Sequence, residues 1–431
     1  MNCTSTTMKL NRARSRWCET VLVIALLGSI AGGCRATNSS KPTTAVLKPL
    51  PEGFFLIGVF GQSAKNPPGP VVWKSRGINT YVGDGDGEQY VSIAEFDSIA
   101  NANGLKVIRQ PSKEPTQDIG NTTLLAWMQP DEPDVEGNNI NKGCSPYSGQ
   151  YPCTLECQAN FQAWRAADPT RPIFINFSGS DVFGDSSCNY CNGAGDMVDP
   201  KGCNGTYPEA AQCYPRLLAT GDWISEDIYP VTGWMVPELN GSLSAVGKVL
   251  DKLTGWTDKP IYAILETSNQ HLPASGSTAG QRGVTPDEFR GEVWDAIIHR
   301  ARGVIYFPFD VGANSWSYDA TPPDVVAEMT RQNALITQLA GTLQGEINPS
   351  TISATVPSPL EAGWRRTDGV SYFFVLNLSN TQVNGASVAL MGVGAAKGAT
   401  VFNESSRSVT LSGGKLTDDF APYALHIYVV Q

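Results

Sequence analysis

An α/β chain, built as a (β/α)8 TIM barrel followed by a small antiparallel β-sandwich domain, is the fold class that the sequence predicts. Three observations predict it. Short, near-continuous apolar runs alternate with helix-like segments between Gly53 and about Gly312, the pattern of a parallel sheet covered on both faces. Eight such units over about 260 residues is the size of a closed barrel. From Gly345 the texture changes to short alternating strands parted by Gly and Asn turns, as in a sandwich of about 80 residues. The rival is an open doubly wound sheet, which calls for a Gly-rich phosphate turn after an early strand; the chain has none.

The eight strands are expected at 54–60, 77–83, 105–108, 124–128, 172–177, 223–229, 260–265 and 303–307. Each is rich in β-branched or aromatic residues and is bounded by Gly, Pro, Asn or Asp. Helices are expected at 93–103, 155–167, 243–253 and 286–300, and a last one at 324–343 closes the barrel. The sandwich strands are expected at 370–378, 387–391, 400–402, 409–411 and 424–430. This second domain is read as packed on the barrel rather than as a separate sugar-binding module. No internal repeat is found.

Before the barrel comes a leader. Lys9, Arg12, Arg14 and Arg16 precede an apolar run from Val21 to Ile30, and Ala31-Gly32-Gly33-Cys34 comes next. The run is shorter than the ~20 residues a membrane span needs, so residues 1–33 read as an export signal. The segment resembles a bacterial lipoprotein signal, which implies lipidation of Cys34 and anchoring of an extracytoplasmic protein to the membrane through that lipid alone. The alternative is an ordinary signal cleaved near Gly33 and a secreted product. Residues 34–51 read as a polar tether, 52–344 as the barrel and 345–431 as the sandwich. The 431-residue chain carries 31 Lys and Arg against 41 Asp and Glu, a net charge of −10; without the leader, which carries +3, it is −13. That balance argues against a nucleic-acid partner. A monomer is expected.

Barrel active sites are built from the residues just after each strand. After strand four stands Gln129-Pro130-Asp131-Glu132-Pro133, and strand seven ends in Leu265-Glu266-Thr267-Ser268. Two carboxyls facing each other across a barrel mouth suit glycoside hydrolysis, in which one donates a proton and the other attacks or activates water. In these residues the chain resembles the clan A glycoside hydrolases, over roughly Gly53 to Leu343. The resemblance implies a retaining enzyme acting on a poly- or oligosaccharide, with Glu132 as acid/base and Glu266 as nucleophile, and no cofactor. Asp131 stands where the commoner motif of that clan has Asn, which puts the contact to the sugar 2-hydroxyl in question. The bland readings are a carboxylate at a helix N-terminus for Glu132 and a buried ion pair for Glu266.

Asp227 and Tyr229 fall on one side of strand six and are candidates for holding a sugar hydroxyl and the nucleophile; a buried structural Tyr is the alternative. Arg109, Gln110 and Asn176 are further candidates. Trp234, Trp316, Tyr318 and Phe309 lie near strand ends, where an aromatic either stacks on a sugar or simply packs. The acidic loop Asp84–Glu88 lacks the full calcium-loop spacing, and His271, His299 and His426 are too far apart in sequence to suggest a metal site. No metal is expected. No nucleophile elbow or zinc-protease motif is found.

Ten cysteines are present. Beyond Cys3, Cys18 and Cys34, seven fall within 70 residues: Cys144, Cys153, Cys157, Cys188, Cys191, Cys203 and Cys213. Export makes disulfides the default, while Cys188-x-x-Cys191 with Cys203 and Cys213 also matches a four-thiolate zinc site. They mark insertions after strands four and five, which would wall the cleft beside Glu132. Two non-catalytic readings compete with the enzyme: a glycan-binding surface lipoprotein on a barrel scaffold, and a structural surface protein.

Overall fold

The computed structural model describes residues 46–86, 91–134, 152–179, 182, 213–232, 241–270, 282–311, 317–405 and 407–431. Eight parallel strands form a closed barrel in sequence order: β1 (Leu56–Phe60), β2 (Thr80–Val82), β3 (Lys106–Arg109), β4 (Leu124–Met128), β5 (Ile173–Ser178), β6 (Trp223–Asp227), β7 (Ile261–Glu266) and β8 (Gly303–Phe307). Pairing of β1 with β8, Leu56 opposite Gly303, closes the ring. β4 and β8 fall where expected, and the others differ from expectation by one to three residues at an end.

The apolar runs are continuous because both faces of each strand are buried. Leu56, Val82, Ile108, Ala126, Phe174, Trp223, Tyr262 and Ile305 fill the barrel interior. Their neighbours, among them Ile57, Tyr81, Val107, Trp127, Ile175, Ile224, Ala263 and Val304, face the helix layer. This strict two-residue alternation sets which side chains reach the mouth.

The described helices are α1 (Gly69–Ser75), α2 (Ile93–Ala102), α3 (Pro152–Ala167), α4 (Cys213–Leu218), α5 (Ala245–Trp256), α6 (Pro286–Ile298) and α7 (Pro323–Leu343). α1 and α4 are too short to leave a periodic signal in the sequence. α6 starts with a capping box, the Thr285 and Glu288 side chains each bonding the other's backbone N–H, and has Pro286 at its first position. No described helix is long and apolar enough to cross a membrane.

The C-terminal strands form two antiparallel sheets. One has the order β10 (Ser353–Thr355), β13 (Val383–Met391), β16 (Lys415–Phe420). The other has the order β15 (Ser408–Thr410), β14 (Gly398–Val401), β17 (Leu425–Val430), β12 (Val370–Asn377), β11 (Leu360–Thr367), β9 (Glu346–Ile347). Phe373, Val375, Tyr428 and Val430 of the larger sheet pack against Val388, Leu390, Leu416 and Phe420 of the smaller. The opposite face, with Phe374, Leu376, Leu425 and Ile427, joins the core of the barrel's outer layer. Phe374 stacks on Trp294 of α6 with ring centres 5.7 Å apart. Gly363 lets β11 lie against the end of α6, since a Cβ there would stand 2.9 Å from the Ile298 carbonyl oxygen. The sandwich is thus packed on the barrel through α6.

Candidate active site

Alternation brings Asn176 and Ser178 of β5, and Asp227 at the end of β6, to the inner side of the mouth, the register that Phe174 and Trp223 occupy below them. The Asn176 amide nitrogen donates to Asp131 Oδ1 at 3.0 Å and to Asp227 Oδ2 at 3.2 Å. One side-chain NH₂ therefore ties a carboxylate of the loop after β4 to one at the end of β6. Asp227 Oδ1 accepts from the Gly179 backbone N–H at 3.3 Å. Glu132, next to Asp131, has φ of +42°, a left-handed backbone that a non-glycine residue adopts at a cost. It begins no described helix, unlike the capping carboxylate of its bland reading.

The carboxyls converge electrostatically on Tyr229. Burial, then the charges of Asp227, Glu132, Asp131 and Glu266, holds its phenol well above the usual tyrosine range, so it stays a neutral donor. Its ring stacks on Phe307 with centres 5.4 Å apart. Asp227 is pushed well above the ordinary carboxylate range by burial and by Glu132, Asp131 and Glu226. Asp131 opens into the mouth yet is closely ringed by protein. That enclosure lifts it to about 6, against hydrogen bonds from Asn176 and the Glu132 backbone.

Glu266 follows Tyr262 and Ile264 on the inner register of β7 and is fully buried. Its Oε1 accepts from the Val231 N–H at 2.5 Å and its Oε2 from the Thr232 N–H at 2.9 Å. Burial raises the carboxyl to about 7, opposed by those bonds and by one from Glu292. Glu292 of α6 is itself fully buried, and burial and the Glu266 charge hold it well above its ordinary value. The partner of Glu266 is thus a second carboxyl, in place of the cation its bland reading supposes.

Arg109 departs from expectation. It is the last residue of β3 rather than the first of the loop, and because Ile108 faces the barrel interior, Arg109 faces the helices. There it is buried, bonding Asp97 of α2 through Nε and Nη2 at 2.9 and 2.6 Å, and Asp118 through Nη2 at 2.9 Å. It braces the wall and does not reach the mouth. Gln110, beside it, is exposed. In the loop after β2, Asp86 accepts from the Ser63 hydroxyl and, at 2.6 Å, from the Ala64 N–H, so this carboxylate anchors the β1 loop. Phe309 packs between Phe307 and Tyr318, at 4.9 and 5.8 Å. Trp234, Trp316, His271, Glu88, Cys34, Cys144, Cys188, Cys191 and Cys203 lie outside the described residues, as do the side chains of Cys153 and Cys213. Cys157 is buried on α3, and its carbonyl accepts from Gln129 at 3.0 Å.

Sequence reasoning missed Glu292 and Asp134. Glu292 carries a signal in the helix period: with Phe289, Val293 and Ala296 it lies on the apolar face of α6, where an acid is out of place. Asp134 accepts from the Ser178 N–H and, at 2.7 Å, from the Tyr214 hydroxyl, tying the β4 loop to β5 and α4. Nothing in the sequence sets it apart from other loop acids.

The fold is one shared with solved glycoside hydrolases, and the resemblance to clan A holds at the level of fold. Gan42B, a GH42 beta-galactosidase from G. stearothermophilus, superposes with a TM-score of 0.56 at 9% identity, over 88% of this chain and 98% of that one. A catalytic mutant of the same enzyme gives 0.54 at 9% identity, over the same shares. AmyP, solved with maltose, gives 0.48 and 8%, over 84% and 88%. No protein-family model and no curated protein matches the sequence.

Proposed function

We propose that the protein is a retaining glycoside hydrolase acting on a poly- or oligosaccharide, with Glu132 as acid/base and Glu266 as nucleophile. The observation that supports this reading is the convergence of Asp131, Glu132, Asp227 and Glu266 on Tyr229 at the strand C-termini of the barrel. Glycosyl transfer needs one carboxyl that keeps a proton and one that gives it up. Crowding of acids around a neutral phenol sets up such a division. Two backbone N–H groups hold the Glu266 carboxylate in one orientation, and its charge holds the neighbouring buried Glu292 well above the ordinary carboxylate range. Asp131 and Asp227, locked by Asn176, are placed to accept from sugar hydroxyls.

Hydrolysis of a glycan panel tests the proposal. Glu132→Gln and Glu266→Gln are each expected to lower kcat by about 10²–10⁴-fold, with α/β configuration retained in the wild-type product by NMR. Full activity in both variants would sink the assignment.

One observation favours a second reading, a glycan-binding protein without turnover: both oxygens of Glu266 are already engaged and none of its surface is exposed. Saturable glycan binding by calorimetry, with no new reducing ends, would select it. For the N-terminus we infer lipidation at Cys34, supported by the basic and apolar runs before it. Mass spectrometry of the purified N-terminus tests that. The cysteines of the β4 and β5 insertions are inferred to form disulfides, which thiol titration before and after reduction would count.

A further inference from the structure

α6 carries Asp295, and His299 lies one turn on, just past its end. Asp295 is fully buried. The Gly247 backbone of α5 donates to its Oδ2 at 2.7 Å, whereas Oδ1 has no hydrogen-bond partner and faces His299 Nε2 at 3.5 Å. Gly247 is what admits the imidazole, because a Cβ there would run into the ring. Nε2 also meets Glu361 Oε2 of β11 at 2.6 Å, and Nδ1 meets Asp251 Oδ2 of α5 at 3.0 Å.

We infer that His299 Nε2, Asp295 Oδ1 and Glu361 Oε2 form a binding site for a divalent transition metal, with Asp251 orienting the imidazole from its other nitrogen. The three ligand groups lie within 4.8 Å of one another. Bonds of about 2.0–2.2 Å to one tetrahedral ion put ligand atoms roughly 3.3–3.5 Å apart. Nε2 and Asp295 Oδ1 already have that spacing. Glu361, with its side chain 33% exposed, has room to withdraw by the ~1 Å that the same geometry requires. A carboxylate on the second ring nitrogen is the common partner of a metal-bound histidine, and imidazole with carboxylates suits zinc.

The pocket already gathers positive charge. Asp295, Glu361 and Asp251 set three carboxylates around the one imidazole. A metal ion would take the place of the Nε2 proton and release it. The exposed sides of Asp251 and Glu361 offer the way in, and a bound ion would rivet α6 of the barrel to β11 of the sandwich.

Calorimetric titration of the full chain with ZnCl₂ at pH 7.5, beside Glu361→Gln and His299→Gln, tests the site. Because any thiol elsewhere in the chain that is not in a disulfide would also bind zinc, the reading is the difference between proteins. One equivalent present in the wild type is expected to be missing from both variants, and the wild-type His299 ring resonances are expected to move on addition. Equal stoichiometry in all three proteins, or unmoved His299 resonances, would overturn the inference. Glu361→Gln keeps shape at a partly exposed position, so the test stands even if His299→Gln does not fold.

Discussion

Arg109 and Asn176 do comparable work on opposite sides of the barrel wall, each joining two acids with one side chain. Arg109 is buried against Asp97 and Asp118, and Asp118 is held below its ordinary value: burial opposes its charge, but bonds from Arg109 and Ser112 prevail. Removing one partner of such a cluster strands the others. Arg109→Met is expected to cost about 3–5 kcal/mol in urea denaturation while leaving the mouth's residues in place. At this scale the sequence was partly legible. Asp131, Glu132, Asp227 and Glu266 were singled out because they stand at or just after strand ends; Asn176 links Asp131 to Asp227, and the charges of all four act on Tyr229. Arg109 was misplaced by a one-residue error in a strand end, which in a sheet reverses the face. Glu292 escaped because it reaches Glu266 from a helix, and no strand-end rule looks there.

At the scale of the element, α6 governs most of what was hard to read. A surface helix shows an apolar stripe, but from Glu288 to Ile298 only Arg290 of α6 is not buried, because the barrel lies on one side and the sandwich on the other. Its acids, Glu292 and Asp295, are therefore interior groups. The strands of the barrel were legible because burial on both faces makes them uniformly apolar. β11 was not, since Gly363, Arg365 and Arg366 interrupt its pattern. Arg365 is nonetheless buried, its Nη2 donating to the Ile297 carbonyl at 2.8 Å. Gly363→Ala puts a methyl against the Ile298 backbone and is expected to cost about 1–3 kcal/mol by overpacking, read as a lowered Tm.

Among the described residues, Glu226, Glu266, Glu292 and Asp295 are fully buried acids. Glu266 and Asp295 are each raised to about 7 chiefly by burial, and Glu226 and Glu292 stand well above their ordinary range for the same first cause. Between unfolded values near 4 and these folded values, the native state keeps protons that the unfolded chain has lost. Stability therefore falls as pH rises through that window. His299 acts in the same direction above about 6.5. On the acid side Asp118, Asp168, Glu288 and Asp418, all lowered, withdraw stability as pH drops below about 4. Urea midpoints are expected to peak near about pH 4–5 and to fall from there to pH 8. A midpoint that rises to pH 8 would contradict the buried-acid account.

The barrel ring closes between Leu56 and Gly303, and the outer face of α6 is covered by Phe374, a residue made later still. During synthesis, then, no early stopping point leaves a finished body. A ribosome that has just completed β8 has made every stave of the barrel, but Trp294 still lacks its cover. A chain broken off before Leu425 would lack the central strand of the larger sheet as well. Such fragments would leave uncovered the apolar contact that seats the sandwich on the barrel, the kind of surface that makes incomplete chains prone to aggregate.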